Sequence, residues 1–389
     1  MKPAAPSPLR FAIGGVVAMA VAMGIGRFVY TPILPGMMEE LHLSAAGAGW
    51  IASANYLGYL LGALAAAGGW AHGRERAIML AGLAASAVLA GLMGLTGWMP
   101  AFLAIRFLAG IASAFVMVFL SSIVMSHMAV AGRPGLQTAH FAGVGLGIAL
   151  SSALMAILVT HHADWRAGWF WSAAISALGF VPVALLIDRG PAVHVDHGGE
   201  PGREPALAWT APLVKVTAGY GLFGIGYVVT ATFLIAIVRQ GGGGRVFEAM
   251  VWLATGISVL PSLWLWQKVA RRAGLYGAYL AACLVEAVGV AASVSMGGTA
   301  GPLLGGVLLG LTFIAATALG LQAGRLLAPR SPRRVLALMT ASFGVGQILG
   351  PIAAGMLAER SGSFFLPSLA AAIVLLASGL VVWSAKRGA

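Results

Sequence analysis

Charge and cysteine are what this sequence has least of. Of its 389 residues, 9% are charged and 60% are hydrophobic, against roughly 25% charged in an ordinary soluble domain. That deficit excludes a water-soluble globular protein and points to a chain that crosses a bilayer many times. The one cysteine, Cys283, leaves no intrachain disulfide and no multi-thiolate metal site within one chain. No Gly-x-x-x-x-Gly-Lys-Ser/Thr loop is present: Gly241 to Gly244 runs into Arg245 and Val246, so the phosphate cradle of an ATP-driven pump is missing. Paired carboxylates, metal ligands and a nucleophile beside a base are likewise absent at helical spacing, so neither an enzyme nor a cofactor is expected. Acids are so scarce in the apolar runs that Glu286 alone falls near the centre of one.

What the chain has is hydrophobic length. A bilayer core about 30 Å thick takes ~20 apolar residues as a helix. Twelve such runs can be marked, at 11–35, 47–70, 76–97, 100–125, 136–160, 166–188, 211–238, 246–269, 274–296, 300–325, 334–358 and 363–384. The expected fold class is an all-α polytopic membrane protein. The first run exceeds the ~7 to 15 residue core of a cleavable leader and carries Arg27, so it reads as a helix. Of the 23 Lys and Arg residues, 17 fall on the side of the termini, 4 on the other, and Arg27 and Arg106 inside the spans. Basic loops stay in the cytoplasm, which puts both termini there. The net charge of +12 is thus a topology signal. A nucleic-acid partner would need a basic face on a soluble domain.

The longest polar interval divides the spans six and six, giving an N-terminal bundle (1–188), a cytoplasmic linker (189–210) and a C-terminal bundle (211–389). His194, Asp196 and His197 in the linker, and His161, His162 and Asp164 in a loop on the other side, read as solvated residues rather than metal ligands. The halves repeat. Gly24-Ile25-Gly26 recurs as Gly224-Ile225-Gly226 and Gly110 as Gly310, each 200 residues on, and Gly143-Val144-Gly145 recurs as Gly344-Val345-Gly346 after 201. Two six-helix bundles related by a pseudo-twofold axis follow.

These features resemble the major facilitator superfamily (MFS) over essentially the whole chain. Arg106-Phe107-Leu108-Ala109-Gly110 is similar to its Arg-x-x-x-Gly motif. Gly143, Gly145 and Gly147, and more completely Gly344, Gly346, Gly350, Pro351 and Gly355, resemble its glycine-rich interdomain motif. Gly73-Arg74-Glu75-Arg76 keeps the basic end of its usual loop motif, but the helix-capping Asp is absent, with Gly68, Gly69 and Trp70 in that region, which puts the usual cytoplasmic latch in doubt. The string from Gly26 to Pro35 looks most like the YbfB/YjiJ-type branch. The resemblance implies the MFS fold, a bacterial inner membrane, and a symporter or antiporter working by alternating access, with protons as coupling ion and helices 1, 4, 7 and 10 around a central cavity.

An arginine inside an apolar span costs about 3 kcal/mol on insertion scales, so Arg27 and Arg106 should face protein or water. Helix direction puts them, with Asn55, at similar depth. A guanidinium presents a planar fork of donors to a carboxylate or phosphate, which makes both candidates for an anionic substrate. The other reading of Arg106 is structural, as a donor to helix-break carbonyls. Tyr30 and Thr31 share a helical face with Arg27. Tyr227, at the repeat position of Arg27, stands opposite with Thr230 and Thr232; Asn55, Gln347 and Thr312 are further polar candidates, and interhelical hydrogen bonding is their common role. Glu286 and His140 are candidates for proton coupling, although helix 9, which holds Glu286, is peripheral in the resembled fold. The cargo expected is a small organic solute, an organic anion or an exported toxic compound, carried by a monomer in the bilayer. A non-transporting membrane sensor or interaction protein on the same scaffold is the alternative.

Overall fold

The computed structural model describes residues 8–68, 70–133, 136, 138–188 and 204–386. Among the described residues twelve helices cross the molecule: α1 (Pro8–Glu40), α2 (Ala45–Ala66), α3 (Glu75–Leu95), α4 (Met99–Val130), α5 (Ala139–Thr160), α6 (Trp165–Leu186), α7 (Ala211–Gln240), α8 and α9 within Arg245–Ser295, α10 (Ala300–Leu327), α11 (Pro332–Ser361) and α12 (Phe365–Ala385). The run Arg245–Ser295 is two helices because Gly274 takes φ 74°, a left-handed conformation that glycine alone adopts without strain. No strand occurs among the described residues. The predicted linker lies mostly outside them, with His194, Asp196 and His197. Its last residues dock on α11, where Glu204 accepts from the Arg333 and Arg334 amides at 3.2 Å each. Asp164 caps α6 through the Ala167 amide (2.9 Å), a structural use for one of the loop residues.

α1 is not the continuous helix its hydropathy predicts. It opens as α-helix (Pro8–Met19), widens to a π-helix (Ala20–Ile25), turns through residues 26–29 and resumes as α-helix (Tyr30–Glu40). The causes are local. Gly24 and Gly26 weaken the helix, and Pro32 offers no N–H to the Phe28 carbonyl. The Thr31 amide bonds Phe28 instead (3.2 Å), which leaves the Arg27 carbonyl without its helical donor. A bare carbonyl is not tolerated at membrane depth unless protein or water satisfies it.

The repeat is visible in packing. A Cβ placed on Gly110 of α4 would meet the Tyr59 amide at 2.7 Å and Asn55 carbonyl carbon at 3.0 Å, on α2. Its repeat partner Gly310, on α10, abuts Thr255 of α8, 200 residues beyond Asn55, at 3.1 Å. Glycine serves at both because two helix backbones touch there. The halves meet along α2 with α11, α5 with α8 and α1 with α7.

Twelve crossings bring Pro8 and Lys386, the first and last described residues, to one end of the bundle, here called the terminal end. At the opposite, distal end the halves are sealed. The Ser53 hydroxyl donates to Ile348 O at 2.7 Å, the Ala46 amide to Glu359 at 3.3 Å, and Arg239 to Glu39 at 2.8 Å. At the terminal end the arginine retained from the loop motif has a local task. Arg76 donates to the α6 carbonyls of Ile187 (2.6 Å) and Ala184 (2.7 Å), so it caps a helix within the N-terminal half.

Candidate functional site

The break in α1 organises the N-terminal side of the site. Arg106 on α4 donates from Nη1 to the Gly26 carbonyl and from Nη2 to the Arg27 carbonyl, both at 3.1 Å, and so supplies what the broken helix lacks. Asn55 Nδ2 donates to the Arg106 carbonyl at 3.0 Å. These bonds join α1, α2 and α4 at one depth, with Arg106 as a strut across the break. Its ring contacts, Tyr30 at 5.1 Å and Trp169 at 5.9 Å, fix the guanidinium plane.

Arg27 is situated differently. It is 5% exposed, and neither Nε nor Nη2 has a hydrogen-bond partner. Tyr59 and Tyr56 of α2 lie over the guanidinium at 4.4 and 4.6 Å, with Phe28 at 5.7 Å. The acids of residues 8–188 (Glu39, Glu40, Glu75, Asp164 and Asp188) all stand at or beyond helix ends, so none neutralises it within the membrane. Tyr30 and Thr31, its expected companions, are turned to structural work. Tyr30 donates to the Ala48 carbonyl at 2.9 Å, and Thr31 to the Ala231 carbonyl at 2.6 Å.

The last bond locates the pseudo-twofold axis. Residues 31 and 231 are repeat partners, as are Glu39 and Arg239, and each pair is in contact. Repeat partners touch only beside the axis that relates them. Arg27 and Tyr227, one turn before Thr31 and Ala231, therefore flank the same axis from opposite sides. Tyr227 stacks at 6° on both Phe313 (6.1 Å) and Phe343 (5.6 Å), with Phe223 at 5.3 Å. Phe28 meets Phe313 edge-on at 5.8 Å and joins this aromatic wall to Arg27. Gln347 Nε2 donates to the Tyr227 hydroxyl, while Gln347 Oε1 and the hydroxyls of Thr230 and Thr232 are buried without partners. The aromatic wall escaped sequence reading, although the i, i+3 pair Tyr56 and Tyr59 and the i, i+4 pair Phe223 and Tyr227 were the signals available.

The remaining candidates lie elsewhere. Glu286 on α9 is fully buried and neither carboxyl oxygen has a hydrogen-bond partner. The hydroxyl of its neighbour Thr312 is bonded to Leu308 O at 2.6 Å. His140, at the terminal-end start of α5, is buried with Nε2 3.0 Å from the Ser121 hydroxyl. His140 stands at the terminal end, whereas Glu286 is near enough to Tyr227 for its charge to act on that residue. Among the described residues no group of three or more His, Cys, Asp or Glu is arranged to hold a metal ion. A shallow distal cleft lies between the halves, lined by Pro32, Asp164, Arg239, Arg245 and Glu248 among others.

Twelve membrane-crossing helices in two pseudo-twofold-related bundles, with a buried cation beside the axis, define a transporter of the major facilitator type. The chain belongs to the family described as "Uncharacterised MFS-type transporter YbfB", whose profile matches residues 19–383, and it is a multi-pass integral membrane protein. It is 35% identical over 94 residues to YceJ of Bacillus subtilis (strain 168), an uncharacterized MFS-type transporter, and 31% identical over 157 residues to a gallate transporter of Pseudomonas putida. These alignments span 24% and 33% of those relatives' lengths. A mutant of the nucleoside transporter NupG (TM-score 0.73, 12% identity, 97% of this chain and 99% of that one) shares the fold. So does a bacterial homolog of the human lysosomal transporter Spinster in its inward-facing, unoccupied conformation (TM-score 0.71, 15% identity, 100% and 98%). The family and these structures are transporters, not enzymes.

Proposed function

We propose that this chain is a secondary transporter that carries a small organic anion by alternating access. The observation that carries this reading is Arg27, a buried guanidinium beside the axis with two unpartnered nitrogens. A buried charge without a partner costs several kcal/mol, and an anionic substrate supplies the partner. Arg106 acts on the substrate indirectly, by holding the α1 break that presents Arg27. The gallate carried by one partial relative is an organic anion of suitable size. The halves 1–188 and 211–389 are the rocking bodies, and the seal at the distal end makes this the state that opens at the terminal end. The basic loops on that side support a cytoplasmic location for both termini, in a bacterial inner membrane. Protons are the proposed coupling ion, with Glu286 as the carrier within the membrane and His140 at its terminal-end edge. One chain contains the whole site, which supports a monomer.

Uptake of radiolabelled carboxylates into proteoliposomes, with and without a pH gradient, tests this. Flux should respond to the gradient and fall at least about 30-fold in Arg27→Ala, the loss expected when one side of a buried charge pair is removed. Arg27→Lys should restore part of it. Unchanged anion flux in Arg27→Ala refutes the site, and binding without flux refutes transport.

A further inference from the structure

The two sides of the axis are chemically unlike, and the difference specifies more than an anion. Arg27 offers unpartnered donors on one side. On the other, its repeat partner Tyr227 belongs to a set of rings with nearly parallel planes: Phe313 and Phe343 at 6° and Phe223 at 14°. Flat rings in register present flat faces, which match a planar apolar body better than a puckered or flexible one. Beyond them, Gln347 has its amide nitrogen committed to Tyr227 and its Oε1 buried and unpartnered. A carbonyl oxygen accepts and never donates, so the group that completes it must carry an O–H or N–H. Thr230, one turn after Tyr227 on α7, adds an unpartnered hydroxyl.

We infer that the substrate is an aromatic carboxylate bearing a ring hydroxyl or comparable donor. Its carboxylate pairs with Arg27, its ring lies against Phe28, Phe313 and Tyr227, and its donor reaches Gln347 Oε1. This rests on the anion reading of Arg27 and deepens it. Phe313 and Gln347 are then the residues that set specificity, while Tyr56 and Tyr59 hold the Arg27 guanidinium in place.

Equilibrium binding to the purified full-length protein distinguishes the possibilities, with benzoate, the three monohydroxybenzoates and cyclohexanecarboxylate as probes. Benzoate should bind about threefold or more tighter than cyclohexanecarboxylate, the scale of an aromatic contact. At least one hydroxybenzoate should exceed benzoate about fivefold or more, the scale of a buried acceptor satisfied. Gln347→Leu should abolish the second preference and keep the first; Phe313→Leu should reduce the first and keep the second. Thermal melting of each variant establishes that it is folded, and Gln347→Met, which keeps the side-chain length and removes the acceptor, replaces Gln347→Leu if that variant is not. If cyclohexanecarboxylate and benzoate bind alike and Arg27→Ala abolishes both, the aromatic inference is overturned and the anion reading stands. If no carboxylate binds, or binding survives in Arg27→Ala, the anion reading falls and takes the inference with it.

Discussion

The distal seal permits a perturbation that acts on one conformation only. At Gly355 of α11 an added Cβ meets the Ala45 carbonyl, with Ala45 C at 2.9 Å and Ala46 Cα at 3.0 Å; at Gly49 of α2 it meets the Pro351 carbonyl, with Pro351 C at 2.9 Å and Ile352 N at 3.3 Å. Every one of these neighbours is backbone, so no rotamer relieves the clash and the helices must separate. Overpacking of this kind costs about 1–3 kcal/mol. The penalty falls on the sealed state and vanishes when the distal end opens, so Gly355→Ala or Gly49→Ala should raise the open-to-sealed ratio by about 5- to 160-fold, which is that energy expressed as an equilibrium constant. A suitable reporter is Thr232→Cys in a Cys283→Ser background. Thr232 is 2% exposed and adjoins Ala231, the acceptor of the Thr31 bond. Its labelling by a membrane-impermeant maleimide added at the distal face measures the open population. The rate should rise by the same factor as long as the open state is the minor one. An unchanged rate in both variants, with melting temperatures near that of the parent, would mean that the α2–α11 seam is no gate.

Three further outcomes follow from the same structure. Glu39→Gln removes an ion pair that is 61% exposed on the glutamate side, so it should favour opening by only about 0.2–1 kcal/mol; the parent should respond in the same direction to added salt, measured with the same reporter. Arg106→Lys cannot fork between the Gly26 and Arg27 carbonyls, and each charged hydrogen bond lost should cost about 1.5–3 kcal/mol, read as a lower melting temperature of the purified protein. Glu286→Gln should abolish accumulation driven by a pH gradient while sparing exchange of labelled for unlabelled substrate; retained gradient-driven accumulation would exclude Glu286 as the coupling acid.

Elements were legible in this sequence because the bilayer imposes one requirement on all of them. Each span must bury its own backbone bonds over a fixed thickness, and hydropathy reports that directly. The ends drifted where the requirement lapses: α1 continues to Glu40, past the predicted residue 35, because Met37, Met38, Glu39 and Glu40 are good helix formers in a region where lipid no longer sets the limit. The interruption of α1 was harder to read. Glycine is common throughout the chain, and what decides the matter is Pro32 together with an arginine on another helix free to receive the released carbonyls. That second condition is tertiary.

Side-chain direction explains which site residues were legible. A helix that is apolar all round has no amphipathic stripe, so its sequence does not say which residues face the other half. Here the repeat supplies the missing rotation, but only for residues beside the axis. Contacts between partners 200 apart, Thr31 with Ala231 and Glu39 with Arg239, fix the facing sides of α1 and α7, and with them the opposition of Arg27 to Tyr227. Glu286 is buried on α9, and no contact with a repeat partner fixes its direction. A proton taken up there acts on the proposed substrate site through its charge on Tyr227 and through its neighbour Thr312 on α10, which adjoins Phe313. If coupling works this way, Thr312→Val should uncouple flux from the pH gradient without lowering substrate affinity, whereas Phe313→Leu should alter both; a Thr312→Val protein with normal coupling would sever the proposed link between acid and aromatic wall.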